Sequence, residues 1–128
     1  MESPFKGKSG LQRIINATGY SLAGLSAAWQ NEAAFRQVAL LAVVGIGVAI
    51  GLGLPIWSKA ILIASHLMTL VIELFNSAIE AAVDHTSLER HPLAKRAKDL
   101  GSAAQMVGLT SLSITWLLCL YSHYVRPF

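Results

Sequence analysis

The chain has 128 residues, a length typical of one domain, and 54% of them are hydrophobic while only 13% are charged. This charged share is about half that of soluble proteins, so the composition excludes intrinsic disorder and argues against a small soluble domain. The single cysteine excludes a disulfide scaffold and a four-cysteine metal site within one chain. Ten Lys and Arg residues, with a net charge of +3, are too few for nucleic-acid binding. Of the protein classes considered, a membrane protein remains.

The first predicted element is an amphipathic helix over residues 9–30. Apolar residues recur there at three- and four-residue spacing, which is the period of a helix with one apolar side. These residues are Leu11, Ile14, Ile15, Leu22, Leu25 and Trp29. We expect this helix to lie in the membrane interface with its apolar side toward lipid, although a helix that covers a loop is the alternative interpretation.

Three further stretches are long and apolar enough to cross a membrane, which takes about 20 residues. Val38–Leu54 carries no charge and ends at Pro55, and Ser102–Tyr121 is also uncharged. We therefore predict an all-α membrane protein with three transmembrane helices and one interfacial helix. The predicted transmembrane helices cover residues 33–54, 58–84 and 92–124, within a single membrane domain over residues 1–128.

The distribution of lysines and arginines along the chain predicts its orientation in the membrane. Four precede the first span, one lies between the first and second, four lie between the second and third, and one follows the third. Such residues concentrate on the cytoplasmic side, so we predict a cytoplasmic N-terminus and an external C-terminus. The four residues before the first span are Lys6, Lys8, Arg13 and Arg36.

Two features predict contacts between helices. Gly47 and Gly51 form a GxxxG pattern in the first span, which allows two backbones to approach closely. His66 is expected to be a hydrogen-bond partner between helices rather than a catalytic group.

The second span carries a polar stripe. At about 100° per residue, every polar residue from His66 to Asp84, including Glu73 and Glu80, falls on one side of the helix. A charge at the bilayer centre costs about 2.5–3.5 kcal/mol, so the stripe must face protein or a wet cleft. A rise of about 1.5 Å per residue from Lys59 places Glu73 just inside the cytoplasmic boundary and Glu80 at the headgroups. This ordering indicates chemistry between a lipid and a water-soluble partner.

More charged residues are expected at the same level. Glu32 precedes the first span, and Lys98 and Asp99 precede the apolar part of the third. Carboxylates from different helices suit Mg²⁺, which also takes phosphate oxygens, and basic side chains suit a polyphosphate. The P-loop, the dinucleotide fingerprint and the protein-kinase motifs are missing, so a kinase here would be of another type.

Three motifs resemble one family. Residues 73–84 read ELFNSAIEAAVD, residues 94–104 read AKRAKDLGSAA, and Asn31–Gln37 reads NEAAFRQ, with Arg13 and Gly19–Ser21 upstream. These runs resemble the ELxNSAIExxxD signature, the K-D-x-G-S-A-A segment and the N-terminal pattern of the bacterial integral-membrane diacylglycerol kinases. The resemblance covers about residues 11 to 124, in the family's order.

The resemblance implies a homotrimer with shared active sites in the bacterial inner membrane, which uses MgATP to phosphorylate diacylglycerol to phosphatidic acid. Glu73 matches the general base on the lipid hydroxyl, and Glu32 and Glu80 match the metal ligands. The positions that match ATP contacts are Arg13, Tyr20, Glu32, Glu80, Glu89, Arg90, His91, Lys98 and Asp99. The positions that match the lipid site are Arg13, Ala17, Trp29, Ala34, Phe35, Arg36, Gln37 and Ser102, with Asn76 as a supporting polar residue.

Two alternatives stay open at this point. The related undecaprenol kinase shares the signature and differs in its lipid. A small proton-coupled transporter would use Glu73 as a relay. Carriers of that kind place their site near the midplane and have paired topology, and neither property fits three spans with carboxylates near the cytoplasmic side.

Overall fold

Residues 9–126 of the chain fold into four helices and a terminal π-helical turn. The computed structural model describes residues 9–126, so Lys6 and Lys8 of the orientation argument lie outside the described residues. The elements are α1 (Gly10–Asn31), α2 (Ala33–Gly51), α3 (Ile56–Thr86), α4 (Pro92–Leu120) and the π-helical turn Tyr121–Val125.

Single residues and short turns separate the helices. Glu32 adopts an extended conformation (φ −117°, ψ 103°), which ends α1 and lets α2 begin in a new direction. Pro55 precedes α3, and Pro92 stands at the start of α4, where its missing N–H costs no hydrogen bond. His91 caps α4, because its Nδ1 accepts a hydrogen bond from the backbone N–H of Leu93 over 3.1 Å.

Helix α3 lies between α2 and α4 and packs against both, whereas α1 contacts α2. An apolar cluster closes the end of the bundle at the α2–α3 turn. It consists of the buried residues Ala49, Leu54, Leu62 and Cys119, with Leu52 and Trp116 packed against them. This cluster fixes one end of the bundle, and the site described below lies toward the other.

In the part of the chain that the structure describes, three helices are long and apolar enough to cross a membrane, which confirms the predicted number of spans. The 19 residues of α2 make about 28 Å of helix, close to the hydrocarbon thickness. The 31 residues of α3 make about 46 Å, so α3 must extend beyond the hydrocarbon. The interfacial position of α1 and the homotrimer stay predictions.

The bundle is polar inside and apolar outside along much of α3. Four polar residues of α3 are buried, and large apolar side chains of every helix are exposed. The buried four are Ser58, His66, Thr69 and Glu73. The polar stripe thus faces protein over its deeper part, as its pattern predicts, while Asp84 at its end is exposed.

Candidate active site

Glu73 is a buried carboxylate, with 4% of its surface exposed. Gln105 of α4 donates a hydrogen bond from Nε2 to Glu73 Oε2 over 2.7 Å. The same nitrogen donates to the backbone oxygen of Thr69 over 2.9 Å. These two bonds connect α4 to the turn of α3 that carries Glu73, and they give the buried carboxylate a donor.

A cavity of about 490 Å³ lies beside Glu73, between α2, α3 and α4. Gly101 makes room at its edge for Asn76, because a Cβ on this glycine would lie 2.1 Å from Asn76 Oδ1. That oxygen is buried and has no hydrogen-bond partner among residues 9–126. Four sequence-predicted site residues line this cavity together: Ala34, Glu73, Asn76 and Ser102. A carboxylate, an amide and a hydroxyl therefore share a space open enough to admit an alcohol.

A second cavity of about 680 Å³ lies between the end of α3 and the start of α4. Lys98 forms an ion pair with Asp84 across this cavity (Nζ–Oδ1, 2.6 Å), and Lys95 pairs with Asp99 over 2.5 Å. Both pairs are solvent-accessible, so an incoming anion can compete with them at little cost. Five predicted ATP contacts line this cavity: Glu89, Arg90, His91, Lys98 and Asp99.

The two cavities follow one another along α4. Asp99 lines the cavity at the start of the helix, and Ser102, one turn later, lines the cavity beside Glu73. The first is lined by three Lys and Arg side chains, one histidine, three carboxylates and the N-terminus of α4, and its cations and helix N-terminus can bind phosphate groups. The second has the buried carboxylate. The groove between α3 and α4 can thus hold a polyphosphate and a lipid alcohol end to end.

The two predicted metal ligands lie on different elements. Glu32, at the junction of α1 and α2, lines a third cavity of about 760 Å³ together with Ser77 and Ala81 of α3. Glu80 is half-buried on α3, next to Ala81 in the chain. Within residues 9–126 no three His, Cys, Asp or Glu side chains are grouped closely enough to hold a metal ion. Mg²⁺ bound to a nucleotide needs only one or two carboxylates besides phosphate oxygens, so the donor types fit.

The predicted residues of α1 are not assembled with Glu73 in the single chain. Arg13, Ala17, Tyr20 and Trp29 are all exposed, and none of them lines the cavities described above. The side chain of Tyr20 is 64% exposed. The structure therefore gathers the α3–α4 part of the predicted site and leaves the α1 part apart from it.

The start of α2 holds the remaining predicted lipid contacts. Phe35 is buried, Gln37 is exposed, and Arg36 donates from its guanidinium to the backbone oxygen of Trp29 over 2.7 Å. Because the last carbonyls of a helix lack partners within it, Arg36 stabilises the end of α1. This contact gives Arg36 a structural task in addition to any contact with a lipid.

His66 is a link between helices, as predicted. Trp116 of α4 donates from Nε1 to His66 Nε2 over 3.0 Å. The ring also lies against Gly45 of α2, where a Cβ would be 2.1 Å from the same nitrogen. The imidazole thus joins α2, α3 and α4 one to two turns deeper in the bundle than Glu73, outside the cavity that Glu73 lines.

The sequence analysis missed Gln105. This residue is 8% exposed and contacts the carboxylate on which the predicted chemistry depends. A signal for it does exist, since a glutamine within the uncharged stretch Ser102–Tyr121 must find polar partners inside a membrane. A search of the apolar spans for charged residues alone does not find a neutral amide such as this one.

Comparisons with known proteins find one family. The family model of prokaryotic diacylglycerol kinase matches residues 19–120. The chain is 61% identical over 114 residues to a diacylglycerol kinase of Pseudomonas aeruginosa, covering 89% of this chain and 93% of the relative. It is 46% identical over 123 residues to one of Helicobacter pylori (94% and 95%) and 44% identical over 116 residues to one of Escherichia coli (91% and 95%).

Proposed function

The chain belongs to the prokaryotic diacylglycerol kinase family and is a lipid kinase of bacterial membranes, and from this premise we propose that it phosphorylates diacylglycerol with MgATP to give phosphatidic acid and ADP. The observation that carries the proposal is the buried carboxylate of Glu73 in a cavity that follows, along α4, the cavity lined by Arg90, Lys95 and Lys98. The three motifs around Glu73, Lys98 and Glu32 give these positions the family's roles.

Glu73 is the general base in this proposal. Its carboxylate takes the proton of the lipid hydroxyl as the hydroxyl oxygen bonds to the γ-phosphorus of ATP. The bond from the γ-phosphorus to the oxygen bridging the β- and γ-phosphates breaks, and ADP leaves. One carboxylate oxygen of Glu73 is held by Gln105, and the cavity beside it provides space for the alcohol.

The nucleotide binds in the second cavity, at the start of α4. Lys98 and Arg90 neutralise phosphate charge, and the loop Ser87–His91 surrounds the rest of the nucleotide. Arg13, Tyr20 and Asp99 complete the contacts by the family pattern. An incoming triphosphate displaces Asp84 from Lys98, because a polyphosphate carries more negative charge than one carboxylate.

Glu32 and Glu80 hold Mg²⁺ in this proposal. Their carboxylates and the phosphate oxygens are the hard ligands that this ion takes. When bound, the ion neutralises charge on the phosphates. The chain supplies the two carboxylates from separate elements, so the position of α1 relative to α3 matters for metal binding.

The lipid lies against the start of α2 and the cytoplasmic part of α4. Ala34 and Ser102 line the cavity at Glu73. By the family pattern, the lipid also contacts Phe35 and Gln37, together with Ala17 and Trp29 of α1. Arg13 and Arg36 lie at headgroup level. Undecaprenol is the competing alcohol, because the related undecaprenol kinase shares the signature.

We further propose that three chains assemble into a homotrimer with the N-terminus in the cytoplasm and the C-terminus in the periplasm. Two observations support sharing of sites between chains. The α1 residues that the family pattern assigns to the nucleotide and the lipid are remote from the cavity of the same chain, and large apolar surfaces of all helices are exposed.

The test is a phosphoryl-transfer assay on the purified protein with radiolabelled ATP and two lipids, diacylglycerol and undecaprenol. We expect label in phosphatidic acid, and we expect Glu73→Gln to lower turnover by at least about 100-fold, because loss of a general base costs about 10²–10⁴. Binding of MgATP and assembly should persist in this variant, since the substitution keeps the shape of the side chain.

Ser58→Ala is the matched control. Ser58 is a buried polar residue of the same helix whose hydroxyl has no partner among the described residues, so its loss leaves turnover within about twofold. Undiminished turnover of Glu73→Gln would remove Glu73 as the base. If only undecaprenol is phosphorylated, undecaprenol replaces diacylglycerol as the substrate.

A further inference from the structure

Gln105 makes the one polar side-chain contact to Glu73 among the described residues 9–126. Its side chain crosses from α4 to α3 and is 8% exposed. Two acceptors share its amide nitrogen: the carboxylate of Glu73 at 2.7 Å and the backbone oxygen of Thr69 at 2.9 Å. Nothing in the three sequence motifs assigns a role to this residue.

Chemistry fixes the orientation of this amide. The backbone oxygen of Thr69 can only accept a hydrogen bond, so the amide atom that faces it must be the nitrogen, which has two hydrogens. Each hydrogen serves one acceptor. The amide therefore has no freedom to rotate without losing two hydrogen bonds in a buried place, where each loss costs about 1–3 kcal/mol.

The second acceptor restrains the backbone at Glu73. In an α-helix the N–H of residue i bonds to the carbonyl of residue i−4, so the carbonyl of Thr69 is also the helical acceptor for Glu73. The hydroxyl of Thr69 donates to the backbone oxygen of His66 over 2.6 Å and leaves its own carbonyl accessible to Gln105. Gln105 therefore holds both the side chain of Glu73 and the helical turn below it.

We propose that Gln105 is a positioning residue for Glu73: its amide holds Oε2 and leaves Oε1 directed at the substrate alcohol. This inference rests on the proposed function, since it assumes that Glu73 takes the proton. A base must lie within hydrogen-bond reach of the proton that it removes, and a misplacement of about 1 Å costs up to about 100-fold. The two bonds from Gln105 restrict the carboxylate to one position before the lipid arrives.

The geometry on α4 agrees with this role. Gly108, one turn after Gln105, lies so close that a Cβ there would be 3.1 Å from Gln105 Oε1 and 2.6 Å from a methyl carbon of Ile72. A side chain at position 108 would thus crowd the amide oxygen, and the glycine leaves room for it. Ser102, one turn before Gln105 and lining the same cavity, remains available to the lipid.

The test compares Gln105→Leu with the wild type in the assay described above. Leucine keeps a similar volume and removes both donors. We expect kcat per folded enzyme to fall by about 10- to 100-fold, with the KM values for diacylglycerol and MgATP within about twofold of the wild type. Gln12→Leu is the matched control, because Gln12 is exposed and bonds only to Asn16, so its kcat should not change.

Two further variants keep the test decisive. Gln105→Asn retains an amide but is one methylene too short to reach both acceptors, and it decides the matter if the leucine variant does not fold. In the Glu73→Asp variant the shorter side chain already withdraws the carboxylate from the amide. We therefore expect Gln105→Leu to lower log kcat in this variant by less than half of the decrease that it causes in the wild type.

The outcomes separate this inference from the proposed function. If Glu73→Gln loses turnover while Gln105→Leu and Gln105→Asn keep the wild-type kcat, Gln105 is not a positioning residue and the base stands. An equal loss of kcat in the wild-type and Glu73→Asp backgrounds indicates a purely structural residue and also overturns the inference. Turnover that survives Glu73→Gln defeats the proposed function itself.

Discussion

Burial of a carboxylate is costly unless a donor reaches it, and in this chain one glutamine meets that need for Glu73. The donor is a neutral amide, and among the described residues no cationic side chain pairs with the carboxylate of Glu73. The cations of the candidate site, Lys98 among them, lie nearer the start of α4. The buried carboxylate on α3 and these cations on α4 are thus separated along the groove between the two helices.

The metal-binding proposal makes a prediction at Glu32 and Glu80. Removing either carboxylate, as Glu32→Ala or Glu80→Ala, takes away one of the two protein ligands for Mg²⁺. We expect the Mg²⁺ concentration that gives half-maximal turnover to rise by about tenfold or more, because affinity follows the number of charged ligands. The measurement is a Mg²⁺ titration of turnover at saturating ATP and lipid.

Asp84→Asn is the control for this titration. Asp84 lies one helical turn after Glu80 and pairs with Lys98, so its removal changes local charge without removing a proposed ligand. Its half-maximal Mg²⁺ concentration should stay within about twofold of the wild type. Equal shifts in all three variants would mean that Mg²⁺ responds to the net charge of the region and not to two specific carboxylates.

Residue by residue, the hydropathy pattern alone singles out a charge in an apolar span more readily than a neutral amide. Glu73 is conspicuous because a carboxylate in an apolar span is expensive, and the structure does bury it. Gln105 escapes notice because an amide carries no charge, and its partner on α3 is 32 positions away in the chain. Only the packing of α3 against α4 reveals that the two side chains meet.

Among the elements, α2 approaches α3 closely at Gly45. A Cβ there would lie 2.1 Å from His66 Nε2, and the imidazole can move away only by giving up the hydrogen bond that Trp116 donates to the same nitrogen. We predict that Gly45→Ala lowers the free energy of unfolding by about 1–3 kcal/mol, as overpacking of a core does. Denaturant unfolding of the purified protein in mixed micelles measures this change.

Gly47→Ala serves as its control. No atom of another element lies within 4 Å of a Cβ at Gly47, so this substitution should leave the unfolding free energy unchanged or slightly raise it through higher helix propensity. If Gly45→Ala unfolds like the wild type, the close contact between this glycine and His66 has no energetic weight.

The same contact shows a limit of pattern reading at the level of elements. The GxxxG pattern of Gly47 and Gly51 predicts close packing, yet both positions are open within the described chain, and Gly45 makes the contact. Spacing identifies a side of a helix with small residues and leaves open which bulky residue lies opposite. Here a histidine ring on α3 determines the position, and no property of α2 alone reveals it.

For the molecule as a whole, the number of spans follows from hydropathy, whereas the α1 part of the predicted site is not assembled with Glu73 within one chain. The long apolar stretches and their connecting turns are encoded locally, so the sequence suffices for them. In the proposed trimer, the contacts of Arg13 depend on how the chains pack together. Local patterns carry little information about such contacts.

Shared sites predict complementation between inactive variants. We expect Glu73→Gln and Arg13→Gln each to be inactive alone, and a one-to-one mixture refolded together to recover about a quarter of the wild-type turnover. Random assortment gives about one site in four an intact Glu73 from one chain and an intact Arg13 from its neighbour. Turnover of the mixture that does not exceed that of the separate variants would place each site within one chain.

Unequal helix lengths have a consequence for the surrounding lipid. At 19 residues, α2 has little length to spare for tilting, while the 31 residues of α3 extend beyond any ordinary hydrocarbon layer. A bilayer with longer acyl chains therefore has to thin around α2, and one with shorter chains exposes more of α3 to water. Acyl-chain length thereby sets how deep the carboxylate end of α3 lies beneath the headgroups.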